Sequence, residues 1–417
     1  MSAPQPMVDL EDERRRVDWR EVMHRIAAGG PLRTILAMAL ALVIGILFIV
    51  FANADVQRTL GYFFAQPGDF FAAAGKAIAD AGTALFNGSI YNTKAKDPVA
   101  GFRPLTETLR FSGPLIAAGL GVALTFRAGL FNIGGQGQML MAAAWSSFAA
   151  SQIHLPYGIH LIVAMLFGFA GAALWGWIAG FLKAKTGAHE VIVTIMLNYI
   201  ALSIVTYLMR TPILHDMSKG NNPQTLPPDA TAVFPKILGD DYQLRLSFIL
   251  CILAVVVYWW LMRRSALGFR LRMVGLNPDA ARAAGINVER TWIIAMVVSA
   301  LFLGLAGLNQ AIARDGNFNQ HVDEGIGFDG ITVALLGNSS PIGVMFAGML
   351  FGAFKAASPA MQSADVSPDI LGILQALIVL FIATPPLIRA IFRLPEPREI
   401  TDVGTRRKPQ LEQGSAS

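Results

Sequence analysis

The stretch FRAGLFNIGGQGQMLMAAAW, residues 126–145, places four glycines (Gly129, Gly134, Gly135, Gly137) and three side-chain amides (Asn132, Gln136, Gln138) between long apolar runs. Outward from it, the chain reads as membrane. Hydrophobic residues make up 54% and charged residues only 15% of the sequence, where a soluble domain carries about 25% charged. The window TILAMALALVIGILFIVF, 34–51, has no charge and is long enough to cross a bilayer at about 1.5 Å per residue. Unpaired backbone polar groups in hydrocarbon cost on the order of several kcal/mol each, so loose backbone survives there only when buried in protein or facing a water-filled cavity. The quoted stretch therefore has two readings. It is a tight packing seam with amides bonded between helices, or a path lining that offers donors and acceptors to a polar solute. Asn132 and Gln136 share a face if the segment is helical.

Hydropathy predicts about ten spans. They lie at 34–52, 105–126, 131–151, 157–182, 189–209, 246–262, 292–313, a broken pair at 328–338 and 341–358, and 369–391. The spans 131–151 and 328–338 are Gly-rich or short, and are expected to be broken or re-entrant helices. Ten spans divide into two fives, and an odd number per half inverts the second half against the first. Each half has one interruption, the second being GIGFDGITVALLGNSSPIG, 325–343, with Asp329 and Asn338. The expected fold is an all-α polytopic membrane protein of two inverted five-helix halves with broken helices. Asn132, Gln136, Gln138, Asp329 and Asn338 are the candidate path residues.

The net charge of +5 does not point to nucleic acid, because the basic residues flank spans. Clusters at Arg14–Arg16, Lys183/Lys185, Arg263–Arg290 and Arg389–Lys408 all fall on one side if that side is cytoplasmic. Both termini are then cytoplasmic. The expected organisation is a polar leader 1–33, a membrane domain 34–394 with outer segments 53–104 and 210–245, a cytoplasmic loop 263–291, and a tail 395–417. Ala52, Asn53 and Ala54 imitate a signal-peptidase site, but the long leader and apolar core favour an uncleaved first span. In 53–104 a short amphipathic helix is expected on the outer face.

The single cysteine, Cys251, sits in an apolar run and reads as a silent core thiol. No phosphate-binding GxxxxGK[ST] and no HExxH occur, and the six histidines are scattered, so neither an enzyme nor a metal or other cofactor in this chain is expected. Arg127, His189, Glu190, Asp329 and Lys355 are placed near span ends, which argues against a proton relay.

The loop SALGFRLRMVGLNPDAARAAGINVERT, 265–291, carries helix-capping chemistry. Asn277 suits the N-cap, Pro278 the first helical position, Asp279 the helix dipole and Gly285 the residue after the C-cap. A two-turn helix at 278–284 is expected. A plain connection needs no capped helix, whereas a loop that docks a partner protein does.

FRAGLFNIGGQGQMLMAAAW, HEVIVTIMLNYIA (189–201), LNPDAARAAGI and ITVALLGNSSPIG together resemble the permease subunits of bacterial ABC importers. The resemblance covers roughly 100–390. It falls in the branched-chain amino acid/ribose permease superfamily, on the nucleoside-uptake branch served by a lipoprotein receptor. It implies a multi-pass inner-membrane subunit of an importer for a small polar solute, nucleosides first. The implied partners are an ATPase with duplicated nucleotide-binding modules that holds ATP and magnesium, a second homologous permease in a heterodimer, and a substrate-binding lipoprotein receptor, all assembled among membrane lipids. Coupling to the ATPase would fall to Asn277, Pro278, Asp279, Ala280, Ala281, Arg282, Ala283, Ala284 and Gly285. A ribose-type sugar permease and an ion-coupled secondary transporter remain as alternatives. A channel and a membrane scaffold are further ones.

Overall fold

The computed structural model describes residues 30–393, except 221–222, 315, 320 and 368. The expected tail, and all of the leader but residues 30–33, lie outside the described residues. Among the described residues fifteen α-helices follow in order: α1 Gly30–Ala52, α2 Ala54–Leu60, α3 Pro67–Ser89, α4 Pro98–Arg127, α5 Gly135–Gln152, α6 Ile159–Thr186, α7 Glu190–Leu208 and α8 Leu246–Arg264; then α9 Ala266–Leu276, α10 Pro278–Ala283, α11 Val288–Ile312, α12 Ile326–Leu336, α13 Pro341–Gln362, α14 Asp369–Ala383 and α15 Pro385–Phe392. The fold is all-α; among the described residues only two isolated bridges, His215–Thr225 and Lys236–Arg245, pair extended backbone. Residues 42–379 form one compact unit, and the described segments 30–41 and 380–393 belong to another.

Among the described residues seven helices are long and apolar enough to cross a membrane, or eight if α14 and α15, bent by 87°, count as one span. The remaining two expected spans are partial. The 131–151 span begins as helix only at Gly135, and 328–338 is the 11-residue α12. Both starts are glycine-rich, and both are the interruptions read from the sequence.

Within residues 42–379, α4 and α11 are the central helices. From Ser112 to Thr125, α4 is buried throughout. It packs against α8, α11, α12 and α13, while α11 also packs against α5 and α6. Small residues permit this closeness, as expected where van der Waals contact rather than hydrophobicity holds apolar helices together. A Cβ at Gly121 would lie 2.7 Å from the Ser299 carbonyl, and one at Gly176 2.7 Å from that of Met296.

The interruptions are arranged as an inverted pair. After α4 ends, 128–134 doubles back, and α5 starts level with Leu303, well inside the length of α11. After α11 ends, 313–325 doubles back in the opposite sense, and α12 starts at the same place. The two partial helices meet at their N-terminal ends: a Cβ on Gly135 would lie 2.8 Å from the Gly327 carbonyl, and one on Gly327 would collide with Gln136 backbone.

Two segments hold more structure than expected. In 53–104, α3 is a 23-residue helix seated against α13 where Gly88 meets Ala357 and Ala360. The loop 265–287 contains α9 as well as the expected α10. Ser265 Oγ caps α9 by accepting from the Gly268 amide at 2.9 Å. Asn277 Oδ1 caps α10 by accepting from the amides of Asp279 and Ala280 at 2.9 and 3.0 Å. α10 ends one residue early, at Ala283, and Gly285 follows with φ of 81°. Val274, Ala281 and Val288 form a small apolar core beneath it.

Candidate functional site

The seam at 128–138 is closed by its own amides. Asn132 is fully buried and precedes the helix, so it does not share a helical face with Gln136. Its Nδ2 donates to Gln138 Oε1 at 3.2 Å and to Ser299 Oγ at 3.0 Å, and its Oδ1 accepts from the Gly134 amide at 3.0 Å. Ser299 Oγ in turn donates to the Gly121 carbonyl at 2.7 Å. Ser299 lies near the middle of α11, roughly 17 Å from its start at about 1.5 Å per residue.

A second amide completes the closure. Asn198 of α7 donates from Nδ2 to the Ile133 carbonyl at 2.9 Å and accepts at Oδ1 from the Gly137 amide at 2.8 Å. It thus supplies both partners that irregular backbone at this depth requires. A Cβ on Gly137 would stand 3.0 Å from Asn198 Oδ1, so the glycine is what admits the asparagine. The sequence shows Asn198 as an amide in an apolar run; nothing local shows what it binds.

The five candidate path residues fall in separate places. Asn132 and Gln138 bond to each other inside the seam. Gln136, half-buried at the start of α5, lies beside the Asp323 carboxylate, which accepts from the Gly325 amide at 3.3 Å. Asp323 is only 5% exposed and sits where the two partial helices meet, next to their N-terminal dipoles. The sequence reading passes over it because a polar loop gives no sign of its depth. Asp329 pairs with Lys355 at 3.0 Å, and Lys355 also donates to the Glu324 carbonyl at 2.9 Å. Asn338 is exposed in the turn after α12, with φ of 49°, and its carbonyl accepts from Arg127 at 3.3 Å. Among the described residues no group of three or more His, Cys, Asp or Glu forms a metal site.

The seam also touches the loop 265–287. Gly275, at the end of α9, lies against the Arg127 carbonyl and the backbone of Ala128 and Gly129, with no room for a Cβ. A contiguous chain of contacts therefore runs from α10 through the Val274–Ala281 core to Gly275, into 128–134, and on through Asn198 to α7. Such a chain can carry a push at one end to the other, provided its parts move as packed units.

The contact between the partial helices predicts a strong substitution effect. Gly327→Ala should lower the melting temperature of the purified protein by several degrees, since backbone rather than a yielding side chain opposes the new methyl group. Gly82→Ala, with open space around it, should be neutral or slightly stabilising. Equal thermal shifts for the two would contradict the close approach.

The family described as branched-chain amino acid transport system / permease component matches residues 105–383. The guanosine ABC transporter permease protein NupP of Bacillus subtilis is 36% identical over 68% of this chain and 82% of its own length. The nucleoside ABC transporter permease protein NupB of Lactococcus lactis is 37% identical over 72% and 83%. The glucose ABC transporter permease protein TsgB13 of Haloferax volcanii is 29% identical, over 88% of this chain and 89% of its own.

Proposed function

The chain belongs to the permease-component family of branched-chain amino acid transport systems, and from that premise we propose that it carries nucleosides through the membrane as one subunit of an ATP-driven importer. It is a multi-pass ABC transporter permease. The observation that carries the mechanism is the backbone contact of Gly275 with residues 127–129. It joins a capped helix in a basic loop to the seam at the centre of the spans.

In this reading the basic end, with Lys183, Lys185, Arg263 and Arg264, faces the cytoplasm of a bacterial inner membrane, as the positive-inside rule requires. α10 seats on an ATPase subunit with duplicated nucleotide-binding modules, where ATP and magnesium are bound and hydrolysed. A homologous second permease completes the membrane unit as a heterodimer, and a lipoprotein receptor delivers solute at the opposite end. Movement of α10 on ATP binding is passed by α9 to 128–134, and the two inverted halves tilt against one another. Asn132 and Gln138 hold the seam during that motion. Gln136, with Asp323, is the part of it nearest to solute. Asp329 and Asn338 flank α12 at its two ends.

Nucleosides lead because the relatives at 36–37% identity are named for guanosine and nucleosides. Glucose is the second reading, because TsgB13 aligns over 88% of this chain. The test is uptake of labelled guanosine, adenosine, ribose and glucose by vesicles holding the whole system with its receptor, with and without ATP. ATP-dependent guanosine uptake is the expected result. Uptake of glucose alone moves the substrate. Uptake that ignores ATP and follows a proton or sodium gradient overturns the importer.

A further inference from the structure

Asn132 and Gln138, read from the sequence as a path lining, are buried and bonded to each other, while the outward face of α7 carries Tyr199 and Ser203, the serine hydroxyl donating to the Tyr199 carbonyl at 2.8 Å. On α7, Ile192, Met196, Tyr199, Ser203 and Tyr207 are exposed, and Thr194, Leu197, Asn198, Ala201 and Val205 are buried. Among the described residues of the spans, α7 alone turns exposed hydroxyl-bearing side chains outward away from its ends; α6 has only Thr186, at its last position, and α8 and α13 have none. Tyr199 is 64% exposed, and no hydrogen bond among the described residues reaches its hydroxyl. It stands at the midpoint of α7, roughly 13 Å from either end at about 1.5 Å per residue, farther than a tyrosine side chain can reach. Tyr207 sits at a span end, where aromatic rings meet headgroups in any membrane protein. Tyr199 has no such explanation. A phenolic hydroxyl left in hydrocarbon without a partner is disfavoured, so this face meets water or a polar solute.

We propose that the solute path runs along this face of α7 and that the Tyr199 ring is a stacking platform for the base of a nucleoside, with the second permease forming the opposite wall. The stacking part rests on the nucleoside reading above. Tyr199, Ile200, Ser203, Ile204 and Tyr207 line an open groove of about 390 Å³, within the range of small-molecule sites. Ser203 and Tyr207 follow Tyr199 by one and two turns, so the groove is a ladder along the span axis. Stacking suits every base, because each offers a π face, and it releases its cargo more readily than a set of fixed hydrogen bonds. Asn198, the neighbour of Tyr199, pins the rotation of α7 through Ile133 and Gly137. The glycine-rich seam thereby aims the platform.

The test uses the assembled transporter in vesicles: this chain with its ATPase, second permease and receptor. Cys251 is fully buried and gives no background once replaced by serine. In that background, Tyr199→Cys should react with a charged, membrane-impermeant thiol reagent, and guanosine should slow the reaction where ribose does not. Tyr199→Phe should keep the KM for guanosine within about twofold, and Tyr199→Leu should raise it about five- to a hundredfold. Reaction with lipid-soluble maleimide only, or an unchanged KM in Tyr199→Leu, overturns the inference while wild-type guanosine uptake stands. Wild-type vesicles that take up no nucleoside sink the substrate reading, and the stacking role with it.

Discussion

Gly275→Val should reduce ATP-driven uptake by about a hundredfold or more while leaving ATP hydrolysis by the assembled complex in place. The Gly275 position faces the carbonyl of Arg127 and the backbone of Ala128 and Gly129. None of those atoms belongs to a side chain that can rotate aside. A valine must lift the end of α9 off the seam, and the cost of forcing such groups together is typically ~1–3 kcal/mol. The loop itself should persist, because Asn277 caps α10 locally and Val274, Ala281 and Val288 pack beneath it. Docking to an ATPase is then kept while transmission is lost. The diagnostic result is hydrolysis that no longer rises when loaded receptor is added. Gly82→Ala is the control: it lies outside the coupling loop and the space around it is open, so uptake should change less than about threefold. If Gly275→Val transports normally, the path of force does not run through residues 127–129.

The spans were legible because bilayer thickness acts on a local window: 34–51 declares itself without reference to any other residue. The interruptions were legible for the same reason, since glycines and amides stand out against apolar neighbours. What each amide binds was not. Asn132 meets Ser299 across 167 positions of chain, and Asn198 meets Gly137 across 61. Burial was also hidden. In a membrane helix the lipid-facing and protein-facing sides are both apolar, so α7 shows no stripe that would have told Tyr199 from Leu197. Asp323 read as loop because depth is not a property of sequence. α9 was missed because FRLRMVG looks like a basic connection; only its seat against Gly129 makes it a helix with a task. The capped α10 was legible to within one residue, since Asn277, Pro278 and Asp279 act through local bonds.

Asn198→Leu should be among the most damaging single changes in the spans. It removes two hydrogen bonds and takes from both partners, the Ile133 carbonyl and the Gly137 amide, the group that satisfies them within the spans. Each orphaned group costs about 1–3 kcal/mol, so the loss is on the order of 2–6 kcal/mol before any repacking. Leucine also lacks the planar shape that fits against Gly137, where the asparagine oxygen lies 3.0 Å from a would-be Cβ. α7 must then rotate or withdraw. Trp175→Phe is the comparison, because it deletes one bond, from the indole N–H to the Leu197 carbonyl at 3.3 Å, one residue along the same helix. A larger drop in melting temperature for Asn198→Leu than for Trp175→Phe is expected. So is a shift of charged-reagent labelling away from Tyr199→Cys when the two substitutions are combined. The labelling result separates two roles for the seam. If Asn198→Leu only loosens the protein, reactivity at position 199 rises together with that at neighbouring positions. If the seam aims α7, reactivity at 199 falls while a position on the adjoining face, such as Val193→Cys, gains it. Unchanged stability and unchanged labelling would mean that the loose backbone at 128–137 finds its partners without α7.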